Sequence, residues 1–508
     1  MPQAKTDDRA PFFSRLLGRR LRALSAALLI GLGGLGLSGC ETAPATGRTI
    51  FTGGLDAQDE LALGREQHPK MVAQFGGSYD DPELNRYVTS VGNLLAATSE
   101  QPDLPYRFTI LDSDIVNAFA LPGGYVYVSR GLVNLARDEA ELAGVLAHEI
   151  GHVTARHSAE RYGNSVLAGL AVVGAAILTG DANVGQLGGQ AAQMALASYS
   201  RSQESEADLL GIRYLSRAGY DPEAMASFLS QMESNARLEA ILAGNPGQAD
   251  AYNILQTHPR TADRVRDAAR QAGVTQVANP MRNRDAYLRR IDGTIHGDSP
   301  RQGFVRGQRF LHPELKFAFE VPPGFRLANR PTSVQAKHPN GSMIVFDMAG
   351  GEAARRYEVG DYLRGVWGKN ARLEQFERIE INGMKAATAT TKVNLNSGPG
   401  SLRLLAIRFA PNQIVRFLFV VPSNRLDQMN RPLRETTYSF RRLSDGEAAS
   451  LKPYRIRIHE VRPGESLSSL ARRLPYPDYR EERLRVLNGL RPGEGLQAGQ
   501  KIKLIVEE

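Results

Sequence analysis

Two histidines four residues apart with a glutamate between them, His148-Glu149-Ile150-Gly151-His152, constrain this chain more than any other segment. On a helix, positions i and i+4 project from one face, so both imidazoles can grip a single metal ion. Glu149 stands beside them, where it can take a proton from a water held by that metal. The helix must be rigid to aim two rings at one point, which requires a buried face. Leu142, Val145, Leu146, Ile150 and Val153 supply that face at helical spacing. Asp138 with Glu141 three residues later reads as the helix start, in capping-box form.

A catalytic zinc needs a third protein ligand and one position left for water. The run Ser200 to Asp208, followed by Leu209, Leu210, Ile212 and Leu215, reads as a second amphipathic helix. Glu204 and Asp208 share one face of it at i, i+4. Glu204 is assigned as third ligand, with Glu206 as the alternative. Asp208 is assigned to orient a ligating histidine or to donate a proton to the leaving amine; pairing with Arg201 or Arg213 is the structural alternative. His157 falls about 140° around the helix from His152 and reads as a surface residue or a group behind the ligands. His68, His296, His312, His338 and His459 are scattered, and none reads as a ligand.

The HExxH sequence, the later Glu204-x-x-Ala207-Asp208, and the stretch Asn117-Ala-Phe-Ala-Leu-Pro-Gly-Gly-Tyr-Val-Tyr-Val-Ser-Arg-Gly131 together resemble one zinc metallopeptidase family. It is the family of HtpX, the CaaX prenyl proteases and BepA, and the similarity covers roughly residues 60–270. The resemblance implies a mainly α, zincin-type (gluzincin-like) protease with a small β-sheet and one Zn2+ per subunit. Carried over by position, His148, His152 and Glu204 would be the metal ligands, Glu149 the general base and Asp208 the family's second acid. Tyr125, Val126, Tyr127 and Val128 alternate as an edge strand would, and in such enzymes an edge strand pairs with extended substrate. Thr257-His258-Pro259 resembles a point where a histidine becomes a fourth ligand and latches the site; otherwise His258 is a loop histidine before a proline.

The two ends of the chain carry different signals. Arg15, Arg19, Arg20 and Arg22 precede a short apolar stretch, Ala23 to Leu37, which is the pattern of an export signal. It stops at Leu37-Ser38-Gly39-Cys40, resembling a bacterial lipobox in which Cys40, the single cysteine, is lipidated. The reading is a signal peptide over 1–39 and a lipid-anchored tether over 40–58, at the inner face of the outer membrane facing the periplasm. Residues 1–39 hold six basic and two acidic residues, so half of the net charge of +8 leaves with the signal. The remaining surplus sits in 451–508, with twelve basic and eight acidic residues, and gives no reason to invoke nucleic acid. His459 to Arg473 and Leu487 to Leu504 resemble a LysM module, which implies a βααβ fold over 454–506 and binding to peptidoglycan.

Between these lie a protease domain over 59–275, a charged and proline-flanked linker over 276–302, and an α+β domain of unknown role over 303–445. Its strands are expected at Phe317–Val321, Ser342–Phe346, Leu402–Phe409 and Ile414–Val421, with an aromatic helix over Tyr357–Trp367. Within the protease, the apolar run Val166–Leu178 would span only about 20 Å, short of a bilayer. It reads as a buried or substrate-gating helix, one that touches the membrane surface, or an ordinary core helix, and loop 180–193 after it as a candidate lid. The functional expectation is a zinc endopeptidase of the bacterial envelope that cleaves misfolded or unassembled envelope proteins. The alternatives are a peptidoglycan-directed metallopeptidase and a largely latent chaperone or binding lipoprotein.

Overall fold

The computed structural model describes residues 39–167, 199–244, 258 and 262–508. Residues 1–38 of the stretch read as an export signal, most of the apolar run, and the 180–193 loop therefore lie outside the described residues.

The histidine-bearing helix organises the first unit. It runs over Glu139–Thr154 (α4), and all sixteen residues are buried. The apolar stripe read from sequence is buried, but the opposite face is covered too. Helices α2 (Pro82–Ala96), α5 (Arg201–Arg217) and α6 (Glu223–Leu242) pack around it, together with strand β4 (Ala118–Leu121). Asp138 caps α4 by accepting from the Glu141 N–H at 2.9 Å. The reciprocal half of the box is missing, because the Glu141 carboxylate turns to Arg137 and Ser227 instead. In α5 the box is complete, between Ser200 and Gln203.

The small sheet has the order β3–β5–β4, with β3 at Arg107–Leu111 and β5 at Tyr125–Ser129. β5 runs parallel to β3 and antiparallel to β4, and all five of its residues are buried. Tyr125 to Val128 thus form the central strand, not the expected edge. Their alternation was misleading because both flanks and both faces are occupied. The edge on the α4 side is β4.

Ahead of this unit, β1 (Cys40–Thr42) and β2 (Thr49–Phe51) pair as a hairpin, and α1 (Ala57–Gln74) follows. The hairpin is docked: the Ala45 N–H donates to the Thr154 carbonyl at the end of α4. Arg156, just beyond that end, pairs with Glu41 and with Glu60 of α1.

The stretch expected as a linker is folded. It carries α8 (Arg284–Ile291) and β6 (Ile295–His296), following α7 (Ala262–Val274). Tyr287, Leu288 and Ile291 of α8 join a continuous apolar core that runs from the first unit into the C-terminal module. That module is β18 (Tyr454–Glu460), two helices over Leu467–Ala471 and Arg480–Asn488, and β19 (Lys501–Glu507). Asn488-Gly489 ends the second helix with Gly489 in the left-handed region, φ 63°. β6 extends the module's sheet by pairing with β18.

The middle unit is antiparallel. Seven strands lie in the order β10 (Arg326–Arg330), β11 (Ser333–Lys337), β12 (Met343–Ala349), β16 (Gln413–Pro422), β15 (Gly398–Ala410), β14 (Met384–Leu395) and β13 (Glu374–Ile381). Four more lie in the order β17 (Arg441–Arg442), β9 (Phe317–Glu320), β8 (Arg309–His312) and β7 (Phe304–Arg306), and Phe310, Phe317, Phe319, Phe346, Phe417 and Phe440 fill an aromatic core. The strands expected from alternation correspond to Phe317–Glu320, Met343–Ala349, Gly398–Ala410 and Gln413–Pro422, and the aromatic helix to Val359–Tyr362 with Leu363–Trp367.

Candidate metal centre

His148 and His152 leave α4 one turn apart and meet Glu204 from α5 and His258. One donor atom from each lies within 4.8 Å of the others, and all four residues are buried. His148 Nε2 is 3.1 Å from His152 Nε2, which is 3.4 Å from Glu204 Oε1. His258 Nδ1 is 2.8 Å from Glu204 Oε1 and 3.4 Å from His148 Nε2. Ligands about 2.0–2.1 Å from a tetrahedral zinc stand about 3.3 Å apart, so these edges suit one such ion. Lone pairs facing each other this closely in a buried site call for a cation between them.

The hydrogen bonds behind the rings set their tautomers. His148 Nδ1 is 3.0 Å from Asp208 Oδ1, and a carboxylate can only accept. The proton of His148 therefore sits on Nδ1, leaving the Nε2 lone pair for the metal. Asp208 itself is clamped by Arg264, whose Nε and Nη2 reach its two oxygens at 2.7 and 2.8 Å. The same guanidinium places Nη1 2.5 Å from Glu204 Oε2. Asp208 thus fixes the ring of His148, and its cationic partner is Arg264 rather than Arg201 or Arg213. Burial would raise the Asp208 carboxyl, but Arg264 and His148 hold it below the usual range. Burial also opposes the charge on Glu204, yet His258, His152 and His148 keep that carboxyl well below its ordinary value.

Glu149 is fully buried, and neither carboxylate oxygen has a hydrogen-bond partner among the described residues. His258 Nε2 lies 3.7 Å from its Oε1. Burial pushes the Glu149 carboxyl up, against the pull of His258 and His148. A carboxylate with open lone pairs and raised proton affinity suits a general base.

Glu206, the alternative third ligand, faces away and accepts from His157 Nε2 at 3.0 Å. His157 is fully buried with Nδ1 2.8 Å from His152 Nδ1, so it backs a ligand and is not a surface residue. Of the two readings of His157, the group behind the ligands is the one the structure supports; the wheel angle does not extend to it, because α4 ends at Thr154 and Arg156 turns left-handed, φ 54°, before a new helix begins at 157. Sequence reasoning missed Arg264 and Tyr199. The Tyr199 ring stacks on His152 at 3.8 Å and carries the Arg161 guanidinium on it at 3.8 Å. Tyr199 sits next to the Ser200 cap, and Arg264 lies six residues past His258; neither spacing advertises a contact.

Residues 82–272 match Peptidase family M48, and residues 459–504 match the LysM domain. The mitochondrial metalloendopeptidase OMA1 of Schizosaccharomyces pombe is 30% identical over 258 residues, covering 49% of this chain and 71% of that protein. This chain belongs to peptidase family M48. The beta-barrel assembly-enhancing protease of Escherichia coli O157:H7 is 31% identical over 293 residues, 54% of this chain and 56% of its own length. That of Yersinia pestis is 35% identical over 243 residues, 46% and 48% respectively. The chain spans about half the length of these bacterial relatives. The M48 match takes in α4, α5 and most of α7, and so includes every donor of the cluster.

Proposed function

We propose that this M48 protein is a zinc metalloendopeptidase of the bacterial envelope that cleaves misfolded or unassembled envelope proteins. The observation that carries it is the buried His148–His152–Glu204 donor set with the unpartnered Glu149 carboxylate beside it. Bound zinc would supply Lewis acidity, polarising a scissile carbonyl and acidifying water. Glu149 takes the proton of the attacking water and returns it to the leaving amine. Asp208, held by Arg264 and His148, fixes the His148 tautomer and takes no part in proton transfer. Strand β4, the sheet edge against α4, is the place for an extended substrate to add as a strand.

His258 stands where water and carbonyl would enter, which favours a latched resting state with four protein donors. The name of the bacterial relatives supports a role in β-barrel assembly, and the LysM match supports attachment to peptidoglycan. A lipid on Cys40, which is exposed, would hold the enzyme at the membrane. Among the described residues no helix is long and apolar enough to cross one.

The test is zinc content and casein cleavage in the parent, Glu149→Gln and His258→Ala. One zinc in all three is expected, with cleavage down on the order of 100-fold or more in Glu149→Gln and up in His258→Ala. Zinc without cleavage in any of them would shift the reading to a binding lipoprotein, and absence of zinc would end it.

A further inference from the structure

The ring of His152 has a support that no motif of the chain announces. His157 Nε2 lies 3.0 Å from Glu206 Oε2, and the carboxylate can only accept, so the proton of a neutral His157 is on Nε2. Its Nδ1 is then an acceptor, and it lies 2.8 Å from His152 Nδ1. The only proton that can make this contact a hydrogen bond belongs to His152 Nδ1. His152 Nε2 is thereby left bare, and that atom faces His148 Nε2 and Glu204.

The outer end of this chain of bonds is Arg48. Its guanidinium places Nη2 3.2 Å from Glu206 Oε2 and forks onto Glu160 at 2.7 and 2.9 Å. Gln203 donates to the same Glu160 at 2.8 Å. Arg48 belongs to the N-terminal hairpin, one residue before β2, and the hairpin is tied to the end of α4 through Ala45. A segment expected to be a tether therefore touches the metal centre through three side chains.

We propose that the hairpin of residues 40–51 is a working part of the metal centre: Arg48 steadies Glu206, Glu206 orients His157, and His157 fixes His152 in the tautomer that binds metal through Nε2. His157, Glu206 and Arg48 are positioning residues. The inference rests on the zinc reading given above. It makes the His152 side of the site the counterpart of the His148 side, where Asp208 and Arg264 do the same work from within the protease fold.

The test is competition for zinc between a chromophoric chelator and the full chain, with the unfolding midpoint of the metal-free protein as a control for fold. His157→Ala is expected to weaken zinc binding about 10- to 100-fold, as loss of a group behind a ligating histidine does. His157→Gln, which can still accept from His152 and donate to Glu206, should recover most of that loss. Arg48→Ala should weaken binding about two- to fivefold, the worth of a half-exposed ion pair. It should add nothing in a Glu206→Gln background, because the two act in series. Parent-like affinity in His157→Ala overturns the relay, and parent-like affinity in Arg48→Ala overturns the part played by the hairpin. If His157→Ala does not fold, Glu206→Gln and Arg48→Ala decide the matter alone. A parent chain that binds no zinc sinks the metal reading itself, an outcome distinct from either.

Discussion

Arg264 shows how much one side chain outside the motifs can carry. It neutralises two buried carboxylates at once, Asp208 through a fork and Glu204 through its remaining nitrogen. Arg264→Ala would leave both acids in a low-dielectric site with one cation fewer. Breaking a buried pair in this way costs about 3–5 kcal/mol. The expected loss is larger in metal-free protein than in zinc-loaded protein, where the ion still balances Glu204. Urea unfolding of both forms checks this, and equal losses would show that Arg264 serves only packing. Arg264→Lys should not restore stability, since an ammonium cannot span the fork. His148, Glu149, His152 and Glu204 were legible because a metal needs fixed donor types at helical spacings. Arg264 and Tyr199 were not, because a group that supports a ligand can come from any element that passes nearby; His157, close behind the motif, was legible only as one of two alternatives.

At the scale of elements, the centre depends on how closely α4 and α5 approach. Gly151 lies between the two histidines, and a Cβ there would meet the Ala207 carbonyl oxygen at 3.0 Å and Leu210 Cβ at 3.2 Å. Gly151→Ala is expected to prise the two helices apart at about 1–3 kcal/mol and to weaken zinc binding, because Glu204 moves with α5. Calorimetry with and without zinc would measure both effects; unchanged affinity alongside lowered stability would show that the donors move together. Sequence patterns located both helices, since each has an apolar stripe and a cap. The pattern erred on β5, where alternation at Tyr125–Val128 met burial on both faces. Alternation reports a pleated strand, but only its neighbours decide whether it is an edge. It erred again on residues 276–302, whose charged composition hides α8 and the strand that completes another unit's sheet.

At the scale of the molecule, the C-terminal module is joined to the protease by more than sequence. Lys503 of β19 is buried and donates to the carbonyls of Asn134, Leu135 and Ala136 at 2.7, 3.0 and 2.9 Å, at the end of the helix Arg130–Leu135. Burial pushes its amine down to about 7. An unfolded lysine keeps its proton to about pH 10, so between about 7 and 10 the unfolded chain holds a proton the folded chain has released. The contribution of Lys503 to stability therefore rises with pH across that window and is flat below it. Lys503→Met should remove this part of the rise, read as a shallower dependence of the urea midpoint on pH; an unchanged slope would show that Lys503 stays charged throughout. Arg284 adds a second tie, donating to Arg137 O and Lys501 O at 2.8 Å each.

The strand β6 has a further consequence. A binding module on a free linker would let its enzyme search a sphere around the point of attachment. Here the last strand before the middle unit is built into the module's own sheet, and the apolar core runs unbroken beneath it. If that module takes hold as proposed, the His148–His152–Glu204 cluster is carried at one distance and one angle from it. On the proposed function, the protein would be built like a caliper, with one fixed span between the part that holds and the part that cuts.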